Sequence, residues 1–330
     1  MFVTSAAPGI AYVLPCLNEA QHLRATLASL IGQRDVAVPV EIVVVDGGST
    51  DGSTEIVHDV AASAPSSCIV RLVDNPRRTA AAGFNVGIAQ STAPVVVLGG
   101  ARTVYPAHHA ATVLDVLGNP QIDVAGGGVR NFLPAKDASL ERAIAALYVS
   151  PVGAGAAAYH RLRTPGFVDT VYCGAYRRSV LDAVGSFDER FTRGQDAEYN
   201  SRVTAAGFRI LFDPRLSTDY QFRGGIREAL RRAFRTGHHN ARGWKLQPRT
   251  IRLRHLAPIC WTMFVLLAPL SPWWKLNAIG LAAYTLTLLV GAIRLLPRLG
   301  PQVTVLLLPV FALFHLAYGF GQLRGLFGRT

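Results

Sequence analysis

Three uncharged apolar stretches close this chain and constrain it more than any other feature. They cover 256–274 over 19 residues, 276–293 over 18 and 299–323 over 25. Each approaches the ~20 residues that carry an α-helix across a bilayer. Lys275, Arg294 and Arg298 are the only charges between them. Trp261, Trp273, Trp274 and Tyr318 stand near the expected interfaces, as aromatic belts do. Pro258, Pro269, Pro272 and Pro309 interrupt the stretches, so two and three spans both stay open.

The charge distribution supports a membrane end. The 330 residues carry a formal net charge of +12. Residues 1–222 hold 18 Lys and Arg against 20 Asp and Glu, whereas 223–330 hold 15 against a single acid, Glu228. A nearly neutral first two-thirds argues against nucleic acid as a partner. Within 223–254, Ile226, Leu230, Ala233 and Phe234 recur at i, i+4, i+7 and i+8. Arg227, Arg231, Arg232 and Arg235 fall largely off that face. The pattern predicts a basic amphipathic helix lying on anionic lipid, with an ordinary solvated helix as the alternative. The positive-inside rule then places this segment and the domain before it in the cytoplasm, in a multi-pass protein of the cell membrane. Met1–Gly9 is short and uncharged and reads as no signal peptide. The four cysteines, 16, 68, 173 and 260, form no CxxC pair and point to a reducing compartment rather than a disulfide scaffold.

Before residue 222, short apolar runs alternate with helical periodicity. Strands are predicted at Ile10–Leu14, Glu41–Val45, Ile69–Val73 and Val95–Leu98. Helices are predicted from Asn18 as a cap to about Gly32, from Ser53, over Thr79–Gln90 and over Pro106–Leu117. This βαβ series implies an α/β domain with a parallel sheet, whose ligands bind at the carboxyl ends of the strands. The expected organisation is an α/β domain over 1–222, a basic juxtamembrane segment over 223–255, and two or three transmembrane helices over 256–330.

The strand ends are therefore the places to look for chemistry. Pro15-Cys16-Leu17-Asn18-Glu19 follows the first strand, and Asp46-Gly47-Gly48-Ser49-Thr50-Asp51-Gly52-Ser53 follows the second. Glycines there admit close backbone approach, and helix-terminal amides favour phosphate. No GxGxxG or GxxxxGK[ST] follows any strand, which disfavours a dinucleotide oxidoreductase and a P-loop NTPase.

Taken in order, YVLPCLNEA, VEIVVVDGGSTDGSTEIV, NPRRTAAAGFNVGIAQS, VDTVYCGAYRRSVLDAVGSFDERF and GQDAEYNSRVTAAGFRI make residues 8–240 resemble a family 2 glycosyltransferase of the GT-A fold. The subgroup it resembles is the membrane-associated, succinoglycan-type glucosyltransferases of exopolysaccharide assembly. The resemblance implies an inverting transfer from a nucleoside-diphosphate sugar to a saccharide or polyprenyl-linked acceptor on the cytoplasmic face. It assigns nucleotide-sugar binding to Pro15, Asn18, Glu19, Asp46, Ser49, Asp51 and Arg78, the last in a segment that also holds Asn75, Gly83 and Asn85. Asp196 of the Gly194-Gln195-Asp196-Ala197-Glu198 block becomes the general base, with Gly174, Gln195 and Glu198 on the acceptor side. His239-Asn240-Ala241-Arg242-Gly243-Trp244 is only a loose echo of the processive Gln-x-x-Arg-Trp motif, which favours single addition.

One departure stands out. The family's fourth strand ends in Asp-x-Asp or Asp-x-His, which binds Mg²⁺ or Mn²⁺ on the donor diphosphate. Here that stretch reads Val95-Val96-Val97-Leu98-Gly99-Gly100-Ala101-Arg102, and no acid occurs between Ser91 and Leu114. Three explanations stay open: Arg102 neutralises the diphosphate directly, His108 or His109 substitutes as ligand, or the protein is a catalytically impaired GT-A-like membrane protein that binds a nucleotide sugar or a partner enzyme.

Overall fold

The computed structural model describes residues 7–133, 139–150, 152–153, 162–221, 224–246 and 253–328. Arg223 and 247–252, part of the predicted basic segment, lie outside the described residues. The chain divides into two compact units, Met1–Asn131 with Arg161–Gln221, and Phe132–His160 with Phe222–Thr330.

The first unit is an α/β layer structure. Its chain order is β1 (Ile10–Cys16), α1 (Ala20–Ile31), β2 (Val40–Asp46), α2 (Ser53–Ser63), β3 (Cys68–Asp74), α3 (Ala80–Gln90), β4 (Val95–Leu98), β5 (Thr103–Val104), α4 (His109–Gly118), β6 (Val124–Gly127) and β7 (Val129–Leu133). After residue 161 come β8 (Gly166–Val168), β9 (Tyr172–Arg177), α6 (Arg178–Val184), α7 (Gln195–Ala205), β10 (Ile210–Phe212) and β11 (Thr218–Gln221), α5 (Ser139–Val149) belonging to the second unit. The main sheet has the order β3-β2-β1-β4-β9-β6-β10-β8, and β5-β11-β7 form a smaller one.

The continuous β-branched runs that predicted strands are buried on both faces, as parallel strands between helices must be. Leu23, Leu27 and Leu30 form the expected buried face of α1. On α3, Gly87 lets the helix sit against β1 and β2, because a Cβ there would stand 2.2 Å from a methyl of Val13.

Two local expectations change. The sheet is parallel from β3 to β4, but β9 pairs antiparallel with both β4 and β6. Asn18 does not cap α1: Glu19 holds that position without a side-chain cap bond, and the Asn18 amide oxygen is turned to the second loop.

The second unit is helical: α5, α8 (Ile226–Leu246), α9 (Leu253–Leu267), α10 (Trp274–Ile293), α11 (Leu296–Leu299) and α12 (Pro301–Phe327). Its core joins Ile144 and Leu147 of α5 to Leu307, Phe311 and Phe314 of α12. Two helices, α10 and α12, are long and apolar enough to cross a membrane, while the apolar part of α9 is shorter. Only 17% of the apolar window of α10 and 33% of that of α12 is buried inside the protein. A core helix of a water-soluble domain would hide such a surface.

The predicted face of α8 is displaced. Ala229, Ala233, Gly237 and Ala241 make the buried stripe, packed on α12, whereas Ile226, Leu230 and Phe234 are half-buried. Small residues at i, i+4, i+8 and i+12 let two helix backbones meet, a geometry that a count of large apolar residues does not see. Arg227, Arg231, Arg235, Arg242 and Lys245 are exposed.

Candidate functional site

Two loops after β1 and β2 are tied into one rim. The Asp46 carboxylate, 5% exposed, accepts from the Gly48 amide at 2.9 Å, the Ser49 amide at 2.8 Å and the Ser49 hydroxyl at 2.5 Å. Ser49 Oγ in turn accepts from the Asn18 amide at 2.8 Å, and Asn18 Oδ1 accepts from the Thr50 amide at 2.9 Å. Asn18 reaches this arrangement with φ of 55°, a left-handed conformation that Asn tolerates. Asp51 accepts from Ser53 Oγ at 2.6 Å and from the Ala20 amide at 3.0 Å, joining the starts of α2 and α1. Burial opposes the Asp51 charge, but the bonds from Ser53 and Ala20 win and hold its carboxyl below the usual range. Asp46, Ser49 and Asn18 thus shape the rim with bonds among themselves, and Asp51 braces it through Ser53 and Ala20.

Next to this rim runs the chain after β3. The Asn75 amide donates to the Asp46 carbonyl at 2.6 Å, and Asn75 Nδ2 donates to the Thr79 carbonyl at 2.9 Å. Arg78 is exposed, has φ of 57°, and its Cα would lie 3.4 Å from a Cβ placed on Gly47. Arg77 is paired with Glu189, and Asn85 donates to the Glu189 carboxylate and the Phe187 carbonyl. Asn85 therefore ties α3 to the segment before α7.

Behind the rim is a cavity of about 350 Å³, within the range of small-molecule sites. Pro15 of β1, Leu98, Gly99 and Gly100 at the end of β4, and Cys173 and Gly174 of β9 line it. Gln195 and Asp196, from the first turn of α7, complete the wall. Among the described lining residues Asp196 is the one carboxylate. Gly194, with φ of 74°, sets up that turn. Asp196 is exposed where it faces the cavity, and partial desolvation by the cavity wall pushes its carboxyl up to about 6. Its charge also contributes to raising the pKa of Cys173 and of Tyr176, which burial raises first.

Glu198, from the same motif, does not line the cavity. Its buried carboxylate takes two bonds from Arg202, at 2.7 and 3.0 Å, and Arg202 also donates to the Val184 and Ser186 carbonyls. Glu198 orients Arg202, which anchors α7 to the end of α6 and the loop after it. Gly174 makes room for the Tyr176 ring, since a Cβ there would stand 2.9 Å from it. Of the aromatic lining, Phe84, Tyr172 and Tyr176 stand inside the quoted motif blocks without an assigned role, and Tyr220 stands outside them. Tyr220 sits on β11, at the end of a strand the α/β pattern does not announce.

Glu19 and Arg102 find each other. Arg102 Nε and Nη2 donate to the two Glu19 oxygens at 2.6 and 2.7 Å. Burial works against the guanidinium charge, yet Glu19 and Tyr220 hold its pKa above the ordinary value. Glu19 is thereby committed to Arg102.

The sequence model of glycosyl transferase family 2 matches residues 12–185, more than half of the chain. The chain belongs to glycosyl transferase family 2. This family 2 transferase is 27% identical over 255 residues to the succinoglycan biosynthesis protein ExoA of Rhizobium meliloti (strain 1021), a match covering 75% of this chain and 73% of that protein. Over 330 residues it is 22% identical to the dolichyl N-acetyl-α-D-glucosaminyl phosphate 3-β-D-2,3-diacetamido-2,3-dideoxy-β-D-glucuronosyltransferase of Methanococcus voltae, covering 96% and 97% of the two chains. Its fold, GT-A, is that of the mannosyltransferase PcManGT from Pyrobaculum calidifontis, whose structure holds GDP-Man and Mn²⁺. The TM-score is 0.62 at 20% identity, over 99% of this chain and 89% of that one.

The divalent cation usual in the family does not fit the residues at the end of β4. Hard cations take oxygen ligands, carboxylates foremost. Gly99 and Gly100 bring no side-chain oxygen to that position, and among the described residues no group of three His, Cys, Asp or Glu could hold a metal. His109 is buried against Tyr12, and His108 lies at the surface paired with Asp35, so neither replaces the missing acid.

The Asp196 environment fixes a pH dependence. On the general-base role that the resemblance implies for Asp196, single-turnover sugar transfer is expected to rise about tenfold per pH unit below about 6 and to level off above it. A pH profile of the transfer rate checks this; a profile flat from pH 5 to 8 contradicts it.

Proposed function

We propose that this family 2 glycosyltransferase moves one sugar, with inversion, from a nucleoside-diphosphate donor to a saccharide acceptor carried on a polyprenyl lipid at the cytoplasmic membrane face. The observation that carries this reading is Asp196, the one carboxylate lining the cavity among the described residues, with its carboxyl pushed up to about 6. Asp196 takes the proton of the acceptor hydroxyl as that oxygen bonds to the anomeric carbon. The bond from that carbon to the diphosphate oxygen breaks on the opposite face, the electron pair leaves with the nucleoside diphosphate, and the anomeric configuration inverts.

The lipid-linked acceptor is supported by two exposed apolar helices and by the name of the archaeal relative, which acts on a dolichyl-linked sugar. The basic residues of 223–254 favour the cytoplasmic face. Cell-surface polysaccharide or glycolipid synthesis is the setting that the names of the relatives favour. A carboxylate in the first turn of α7 that faces the cavity is placed for proton abstraction, which a protein that only binds nucleotide sugar does not need, and this weighs against the impaired, partner-binding reading.

The test offers UDP-, GDP- and dTDP-sugars to the full-length protein in detergent, with soluble and polyprenyl-linked acceptors, and reads the anomeric configuration of the product by NMR. Transfer to a lipid-linked acceptor with inversion is the expected result. Retention, or transfer to soluble acceptors alone, overturns the corresponding part.

A further inference from the structure

At the end of β4, one position is closed to a side chain and the next is open. A Cβ on Gly99 would stand 2.2 Å from Tyr105 Oη and 2.7 Å from Leu14 Cδ2, inside the core. A Cβ on Gly100 would meet Thr103 Oγ1 at 3.4 Å and Tyr172 Oη at 3.8 Å, and Gly100 lines the cavity. Position 100 is therefore where this strand end can present a side chain. Arg102 stands two residues on, the spacing of a ligand pair.

The Arg102 guanidinium is held along one edge. Nε and Nη2 are bound to Glu19, and Tyr220, which lines the cavity, is also hydrogen-bonded to it. Guanidinium matches carboxylate and phosphate oxygens with the same planar fork, so an edge not facing Glu19 can take a phosphate. The charge arithmetic is conserved as well. A pair of carboxylates holding a dication sums to zero, and so do Glu19 and Arg102. A diphosphate therefore meets the same net charge from either arrangement, and Tyr220 links the Arg102 guanidinium to the cavity wall.

We propose that Gly100 is the position of a metal-binding carboxylate this chain lacks, and that Arg102, held by Glu19, takes the metal's part in binding the donor diphosphate. The inference rests on the nucleoside-diphosphate donor of the proposed function. Glu19 is then a positioning residue for Arg102 instead of a nucleobase contact.

Calorimetric titration of UDP, GDP and dTDP into the full-length protein, in EDTA and in Mn²⁺, tests this. The preferred nucleotide should bind the native protein equally, within about twofold, in both buffers. Arg102→Lys should lose about tenfold in both, because the fork and the Glu19 clamp are lost together. Glu19→Gln should weaken binding in the same metal-independent way. The double variant Gly100→Asp with Arg102→Asp, which supplies a carboxylate pair and removes the competing guanidinium, should bind about tenfold more tightly in Mn²⁺ than in EDTA, a gain that misfolding cannot produce. Native binding that vanishes in EDTA, or affinity unchanged in Arg102→Lys, overturns the inference and leaves the donor reading standing. Absence of binding by all three nucleotides in both buffers overturns the donor reading, and this inference with it.

Discussion

Asp196→Asn is expected to lower the rate of sugar transfer by about 10²–10⁴-fold while leaving nucleotide affinity within about twofold. The amide keeps the size of the side chain and its place in the first turn of α7, but it cannot accept the acceptor's proton. The remaining rate should lose its rise near pH 6, because the group that produced it has gone. Glu198→Gln makes the contrast. It removes the charge of a buried carboxylate bound to Arg202, away from the cavity, so its effect belongs to folding rather than to the pH profile. Single-turnover transfer and nucleotide titration on the same preparations separate the two. Full activity in Asp196→Asn would sink the base assignment.

The second large effect concerns the helical unit. Gly321→Leu should break the packing of α8 on α12, costing about 3 kcal/mol or more. A Cβ on Gly321 would stand 2.0 Å from the Phe234 carbonyl, and one on Gly237 2.0 Å from the Tyr318 carbonyl. Both obstacles are backbone, so no rotamer change relieves them and the helices must separate. The Asn240–Tyr318 hydrogen bond at 2.6 Å would go with them. Thermal unfolding in detergent should show a lowered midpoint, and limited proteolysis should cut α8 faster. Leu281→Ala, on an exposed position of α10, is the control and should leave both unchanged. An unaltered midpoint in Gly321→Leu would mean that α8 does not depend on this contact.

Much of this protein is written locally. The β-branched runs at 40–45 and 95–98, and the spacing of Leu23, Leu27 and Leu30, each report burial within a few residues, and the structure places them in the sheet and on its helix. The uncharged stretches at 276–293 and 299–323 report length and hydropathy directly, and α10 and α12 answer to them. The catalytic candidate was named by resemblance: the contiguous Gly194-Gln195-Asp196-Ala197-Glu198 block, which opens α7, matches a family motif without any distant partner.

What the sequence by itself determined, then, is whatever depends on neighbours along the chain: the α/β pattern, the apolar helices, the family and the missing acid after β4. The tertiary structure alone decided whatever depends on residues far apart. Glu19 and Arg102 stand 83 positions apart, and both were read as ligand contacts until their side chains met. Asp51 proved to brace Ala20, 31 positions back, and Arg202, paired with Glu198 one helical turn away, reached the Val184 and Ser186 carbonyls. A carboxylate has one short reach and is claimed by whichever donor the fold brings within it. A sequence names the carboxylate, and only the packed chain names the donor.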